Sequence, residues 1–115
     1  MTQGEIWLID LDPTVGAEMN KTRPAVIIND DQLGKLPLVI IAPVTDWKEH
    51  YVVAPWMIAT NPSIQNGLTK KSSIDCFQIR SVSKKRLIKR IGVITYLEIL
   101  QIQDGVLKVI GYDKY

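Results

Sequence analysis

The sequence predicts a small, mainly β domain: a strongly bent barrel of short strands with one α-helix at its C-terminal end. Short apolar or alternating runs recur along the chain, each cut off by proline, glycine or an Asn/Asp/Ser cluster, the pattern of strands joined by turns. Near the end the pattern changes to a helix-capping signature followed by apolar residues at helical spacing. The 115 residues suffice for one core and not for two, so residues 1–115 read as a single domain.

Residues 5–12, EIWLIDLD, alternate in polarity and stop at Pro13, which makes them the first strand. Residues 13–22, PTVGAEMNKT, form a loop of a length that usually serves a function. Residues 24–29, PAVIIN, are almost continuously apolar and predict a second strand buried on both faces. DDQLGK at 30–35 is a turn or short helix, and LPLVIIAPVT at 36–45 a third strand with prolines near both ends, as at a barrel corner. A fourth strand is predicted at 51–59, YVVAPWMIA, before the turn chemistry of NPSIQNG. SSIDCFQIRSV at 72–82 reads as the fifth strand and RLIKRIGVI at 86–94 as the sixth, after a charged turn at 83–85.

The last segment carries two signals. Thr95 and Glu98 fit a capping box, and Ile99, Ile102, Val106 and Val109 lie three, four and three residues apart, which predicts a helix over 96–110. Asp104-Gly105 between apolar runs is instead a hairpin signal, and Gly105 costs a helix ~1 kcal/mol relative to alanine. The helix is the preferred reading.

Composition excludes several classes of function. No apolar run reaches the length of a membrane span, and the N-terminus MTQGEIWLID lacks the layout of a signal peptide, so no membrane contact and a cytoplasmic location are expected. Cys76 is the only cysteine and His50 the only histidine. A disulfide framework, a zinc site and paired-histidine catalysis are therefore not expected, and neither a metal nor another cofactor is called for. Charge is unevenly spread: residues 70–90 hold eight of the 14 basic residues against one acid, Asp75. The first 31 residues hold six acids against Lys21 and Arg23. The basic segment reads either as a polyanion-binding face or as a solvated turn.

Four blocks then occur in order: GEIWLIDLDPTVGAE at 4–18, TRPAVIIND at 22–30, APVT at 42–45 and QIRSVSKKRL at 78–87. In this series the chain resembles the MazF/PemK (Kid) family of toxin endoribonucleases. The resemblance implies an SH3-like barrel of the CcdB/MazF type with a C-terminal helix. It also implies a homodimer, metal-independent cleavage of single-stranded RNA (mRNA interferase activity), and restraint by a cognate acidic antitoxin of the MazE/PemI kind.

Cleavage without a metal uses the RNA's own 2′-hydroxyl against the adjacent phosphate, so the enzyme must move two protons and stabilise a phosphorane. A guanidinium, planar and always charged, suits the phosphorane. Arg23 resembles the family's catalytic arginine, with Pro24 fixing where the second strand begins; read alone, Arg23 is an exposed cation pairing with Glu18. Thr45 resembles the phosphate-contacting threonine. Glu18 matches the loop glutamate and accepts a proton, orients Arg23 or reads a base edge. Gln78 and Arg80 alternate onto one face, suited to base-edge and phosphate contacts. Trp47 either stacks an unpaired base or covers a barrel end. Lys84, Lys85 and Arg86 add electrostatic attraction.

Two departures from the family pattern bear on the general base. Ala17 and Met19 flank Glu18 where some members carry histidine and glutamine, and Phe77 stands where many place an acid. Asp75, two residues earlier and so on the same face of a continuous strand, is a substitute. Phe77 itself reads as a stacking surface or as core. The competing functions are a gyrase poison of the CcdB type on the same barrel and a decayed, non-catalytic RNA-binding barrel. The first is disfavoured by the chain end GYDKY, where such poisons carry a Trp-Gly-Ile tip.

Overall fold

In a computed structural model, residues 2–112 are described; the last three residues of GYDKY lie outside that range. Seven antiparallel strands form one sheet: β1 (Glu5–Asp10), β2 (Thr22–Ile27), β3 (Leu38–Asp46), β4 (Met57–Thr60), β5 (Ser72–Asp75), β6 (Arg80–Ser83) and β7 (Leu87–Val93). The helix α1 (Tyr96–Ile110) follows. The sheet runs β4-β5-β3-β2-β1-β7, with β6 also paired to β3.

β3 organises the molecule because it is long enough to serve three neighbours. Its first half pairs with β6 from Leu38 to Ile41, its last three residues pair with β5, and its middle pairs with β2. The predicted burial of β2 on both faces is found: Val26 belongs to one apolar cluster, and Ala25 and Ile27 to another. The first cluster, with Val44, Ile74 and Cys76, is covered by Ile102 of α1. The second, with Ile9, Leu11, Val39, Ile41 and Val82, fills the opposite face.

The sheet ends, β4 and β7, are not laddered to each other. They are brought together by the turn after β4, where Val93 N–H donates to Gln65 O at 2.8 Å. Gly67 makes this approach possible: its φ is +67°, and a Cβ there would lie 2.1 Å from Ile91 O. The result is barrel-like without a closed ladder.

Three boundaries differ from those predicted. The run at 72–82 is two strands rather than one. Asp75 Oδ1 accepts the N–H groups of Phe77 (2.9 Å) and Gln78 (3.3 Å), which bends the chain and sends β6 to a different part of β3. The fourth run is extended only from Met57. Residues 49–53 wind into a 3₁₀ turn through Tyr51 N–H to Lys48 O, leaving Val52 and Val53 exposed. β2 starts at Thr22, so Arg23 and Pro24 lie inside the strand and not at its mouth. The preferred reading of the last segment holds: 96–110 is a helix and not a hairpin. Thr95 and Glu98 form the reciprocal capping box, and Gly111 ends it in the left-handed region at φ 73°. Glu98 also accepts a hydrogen bond from the buried Thr60, tying the helix start to β4.

Candidate RNA-cleavage site

The loop between β1 and β2 is held over the sheet by groups from the other end of the chain. Leu11 N–H donates to Lys21 O at 3.0 Å and closes the base of the loop. Met19 N–H donates to Gln78 Oε1 at 2.6 Å, and Arg80 Nη1 donates to Leu11 O at 3.1 Å. Arg86 Nη1 donates to Asp10 O at 3.2 Å and to Asp12 O. Thus Gln78, Arg80 and Arg86, expected to contact RNA, also hold the loop that carries Glu18.

Beneath the loop lies an open groove of about 470 Å³ lined by Glu18, Met19, Pro43, Phe77, Gln78 and Arg80, among others. Glu18 is exposed there, and its Oε1 accepts the N–H of Val15 at 2.6 Å. It makes no ion pair with Arg23. Arg23 Nε instead donates to Asn20 O at 2.9 Å, which sets the plane of the guanidinium, and no carboxylate pairs with it among the described residues.

Arg23 and Thr45 are related by the β2–β3 register. The ladder pairs Ile27 with Ile41, Val26 with Ala42 and Ala25 with Pro43, then stops at Pro24, which has no N–H to contribute. Two residues beyond that last pair are Arg23 on β2 and Thr45 on β3. Since strand side chains alternate, both share the face of Ala25 and Pro43. Arg80 is paired with Ile41 and shares it too. That face is opposite the one covered by α1, and Pro43 is part of the groove wall. Both residues are half-buried.

Three expected site residues are placed otherwise. Asp75 is 5% exposed and caps the bend after β5; the continuous strand that was to set it beside Phe77 does not exist. Burial pushes its carboxyl above the ordinary aspartate range, opposed by the two N–H bonds it accepts. Trp47 is packed rather than open, with Lys71 Nζ 4.6 Å over its ring and Tyr51 edge-on at 5.8 Å. Lys84 lines a different groove with Asn29, Asp31 and Lys35, on another part of the surface.

Phe77 goes the other way. Of its two readings, stacking surface or core, the structure excludes core: the residue is 62% exposed in the groove wall, with Trp56 at a ring separation of 5.9 Å. The signal that would have found it is the Asp75 bend, since a residue in a bend escapes the strand alternation that makes apolar side chains core. Ser73, opposite Thr45 in the β3–β5 ladder, was also missed.

The profile of PemK-like, MazF-like toxins of type II toxin–antitoxin systems matches residues 2–110. Endoribonuclease MazF9 of Mycobacterium tuberculosis is 30% identical over 116 residues, covering 91% of this chain and 92% of its own. Among solved structures, the Mycobacterium tuberculosis toxin MazF-mt6 superposes with a TM-score of 0.76 at 18% identity, over 95% of this chain and 98% of that one. A mycobacterial endoribonuclease solved in complex with its cognate antitoxin superposes with a TM-score of 0.73 at 18% identity, over 97% of this chain and 96% of that one.

Proposed function

The chain belongs to the PemK-like, MazF-like toxins of type II toxin–antitoxin systems, and from that premise we propose that it is an endoribonuclease cutting single-stranded RNA at Arg23, Thr45 and Glu18. The observation that carries the assignment is Arg23: a guanidinium anchored through Nε, free of any carboxylate among the described residues, on the same sheet face as Thr45 and Arg80. In a protein a guanidinium so placed is prepared for a phosphate.

The 2′-oxygen attacks the adjacent phosphorus while Glu18, the carboxylate of the groove, takes its proton. Arg23 and the Thr45 hydroxyl hold the non-bridging oxygens as charge builds. The P–O5′ bond then breaks, and the departing oxygen takes a proton from solvent in the open groove. The products are a 2′,3′-cyclic phosphate and a 5′-hydroxyl. Gln78, Arg80 and the exposed ring of Phe77 face the flanking nucleotides. The reaction needs no metal.

As a toxin of such a system the protein is restrained by a cognate antitoxin, whose acidic segment competes for the same groove. The active form is a homodimer, for which the exposed Leu97, Leu100, Leu107 and Ile110 of α1 supply apolar contact surface. No described helix is long and apolar enough to cross a membrane, and we place the protein in the cytoplasm with its RNA substrate. Incubation with a long unstructured RNA in EDTA, followed by mapping of both ends at each cut, tests the mechanism. Cyclic-phosphate and 5′-hydroxyl ends are expected; cleavage that stops in EDTA and returns with magnesium rules the mechanism out.

A further inference from the structure

Ser73 stands in the middle of β5, 0% exposed, and its Oγ has no hydrogen-bond partner among the described residues. A buried hydroxyl without a partner loses its hydration and gains nothing, a cost that alanine of nearly the same size avoids. Its cross-strand neighbours are Ala59 on β4 and Thr45 on β3. Alanine offers no polar atom, so Thr45 is the hydroxyl in direct register with it. Directly opposed residues place their Cβ atoms roughly 4.5–5.5 Å apart on one face, a span that two hydroxyls bridge by rotation about χ1. The depths also differ in the useful sense: Ser73 is fully buried, whereas Thr45 is half-exposed.

Resting on the reading of Thr45 as a phosphate contact, we propose that Ser73 is a positioning residue for this reaction. With RNA bound, Thr45 donates its proton to a phosphate oxygen. Its lone pair then accepts the Ser73 hydroxyl, which fixes the direction of the Thr45 O–H. A chain of this kind is polarised along its length, so the inner hydroxyl strengthens the outer bond as charge grows on the phosphorane. The face is the right one, because Val44 and Ile74 on the opposite side of the same ladder are packed under α1.

The test is a double-mutant cycle of Ser73→Ala and Thr45→Val, read by steady-state cleavage of an RNA oligonucleotide and by thermal melting. Ser73→Ala is expected to melt at or above the wild-type temperature, keep KM and lose about tenfold in kcat, the scale of one hydrogen bond. In the Thr45→Val background it should cost nothing further. Wild-type kcat in Ser73→Ala, with Thr45→Val slow, overturns this inference and leaves the role of Thr45 standing. Wild-type cleavage by Thr45→Val overturns both. Equal losses from Ser73→Ala in the two backgrounds, or a loss that tracks a lowered melting temperature, would show that Ser73 does not act through Thr45.

Discussion

Arg23 is held by one hydrogen bond from Nε, so its remaining N–H groups form the planar fork that phosphate oxygens match. Lysine supplies the charge without the fork. Arg23→Lys is therefore expected to fail nearly as badly as Arg23→Ala, each slowing cleavage by about 10²–10³ in kcat with little change in melting temperature. A lysine variant of wild-type activity would make Arg23 structural. Asp75 is the opposite kind of residue, buried in a bend and away from the groove wall. Its carboxyl titrates above the ordinary range because burial disfavours the charge. A folded-state pKa above the unfolded one gives stability that is present below the unfolded value and lost as pH rises through the folded value. Asp75→Asn keeps an acceptor for Phe77 and Gln78 while removing the buried charge. At pH 7 it should melt at or above the wild-type temperature, with the difference shrinking as pH falls through the carboxylate range, and it should still cleave RNA. A clear loss of stability at pH 7 would show that the charge itself holds the bend.

At the level of elements, the helix shows how a local penalty is overruled. Gly105 faces Cys76, just past the end of β5, and a Cβ built on it would lie 3.0 Å from the Cys76 Sγ. Alanine would gain ~1 kcal/mol of helix propensity, but crowding a packed site costs a similar 1–3 kcal/mol. Gly105→Ala alone should therefore yield no gain in urea unfolding. Measured against Cys76→Ala, where the sulfur is gone, the same change should stabilise by about 1 kcal/mol. Were the single variant to gain the full ~1 kcal/mol, close packing could not be the reason for the glycine. The capping box at Thr95 and Glu98 was legible because both partners are local, three residues apart. The split of 72–82 was not, because the Asp75 bend is a side-chain choice that leaves no mark on apolar periodicity.

For the whole molecule, the proposal that RNA and antitoxin compete for one groove can be tested through Arg80. Arg80 is both a wall of the groove and a clamp on Leu11 O, so reversing its charge should weaken anything anionic that binds there and also loosen the loop. In a competition titration with Arg23→Ala protein, labelled RNA and an acidic antitoxin peptide, the two ligands should exclude each other, and Arg80→Glu should weaken both. A stable ternary complex with undiminished affinities would place the antitoxin elsewhere. Lys84 lies on a different groove, so its substitution should leave the salt dependence of RNA binding nearly unchanged, whereas loss of a phosphate contact at Arg80 should lower that slope by roughly 0.7.

The sequence by itself determined the strand-rich class, the doubly buried β2, the capped C-terminal helix and the four blocks that identify the family. These are properties of short windows, where periodicity, proline and capping side chains act over a few residues. Tertiary structure alone decided which of the candidate residues meet. Glu18, Gln78 and Arg80 converge because Met19 and Leu11 are bonded to groups 59 and 69 residues away. Thr45 and Ser73 become neighbours because β3 exchanges β6 for β5 along its length. Trp47, Lys84 and Asp75 carry equally suitable side chains and were turned to packing, to another groove and to a bend. Residue type states what a side chain can do, whereas strand register and burial, set by long-range pairing, decide what lies within its reach.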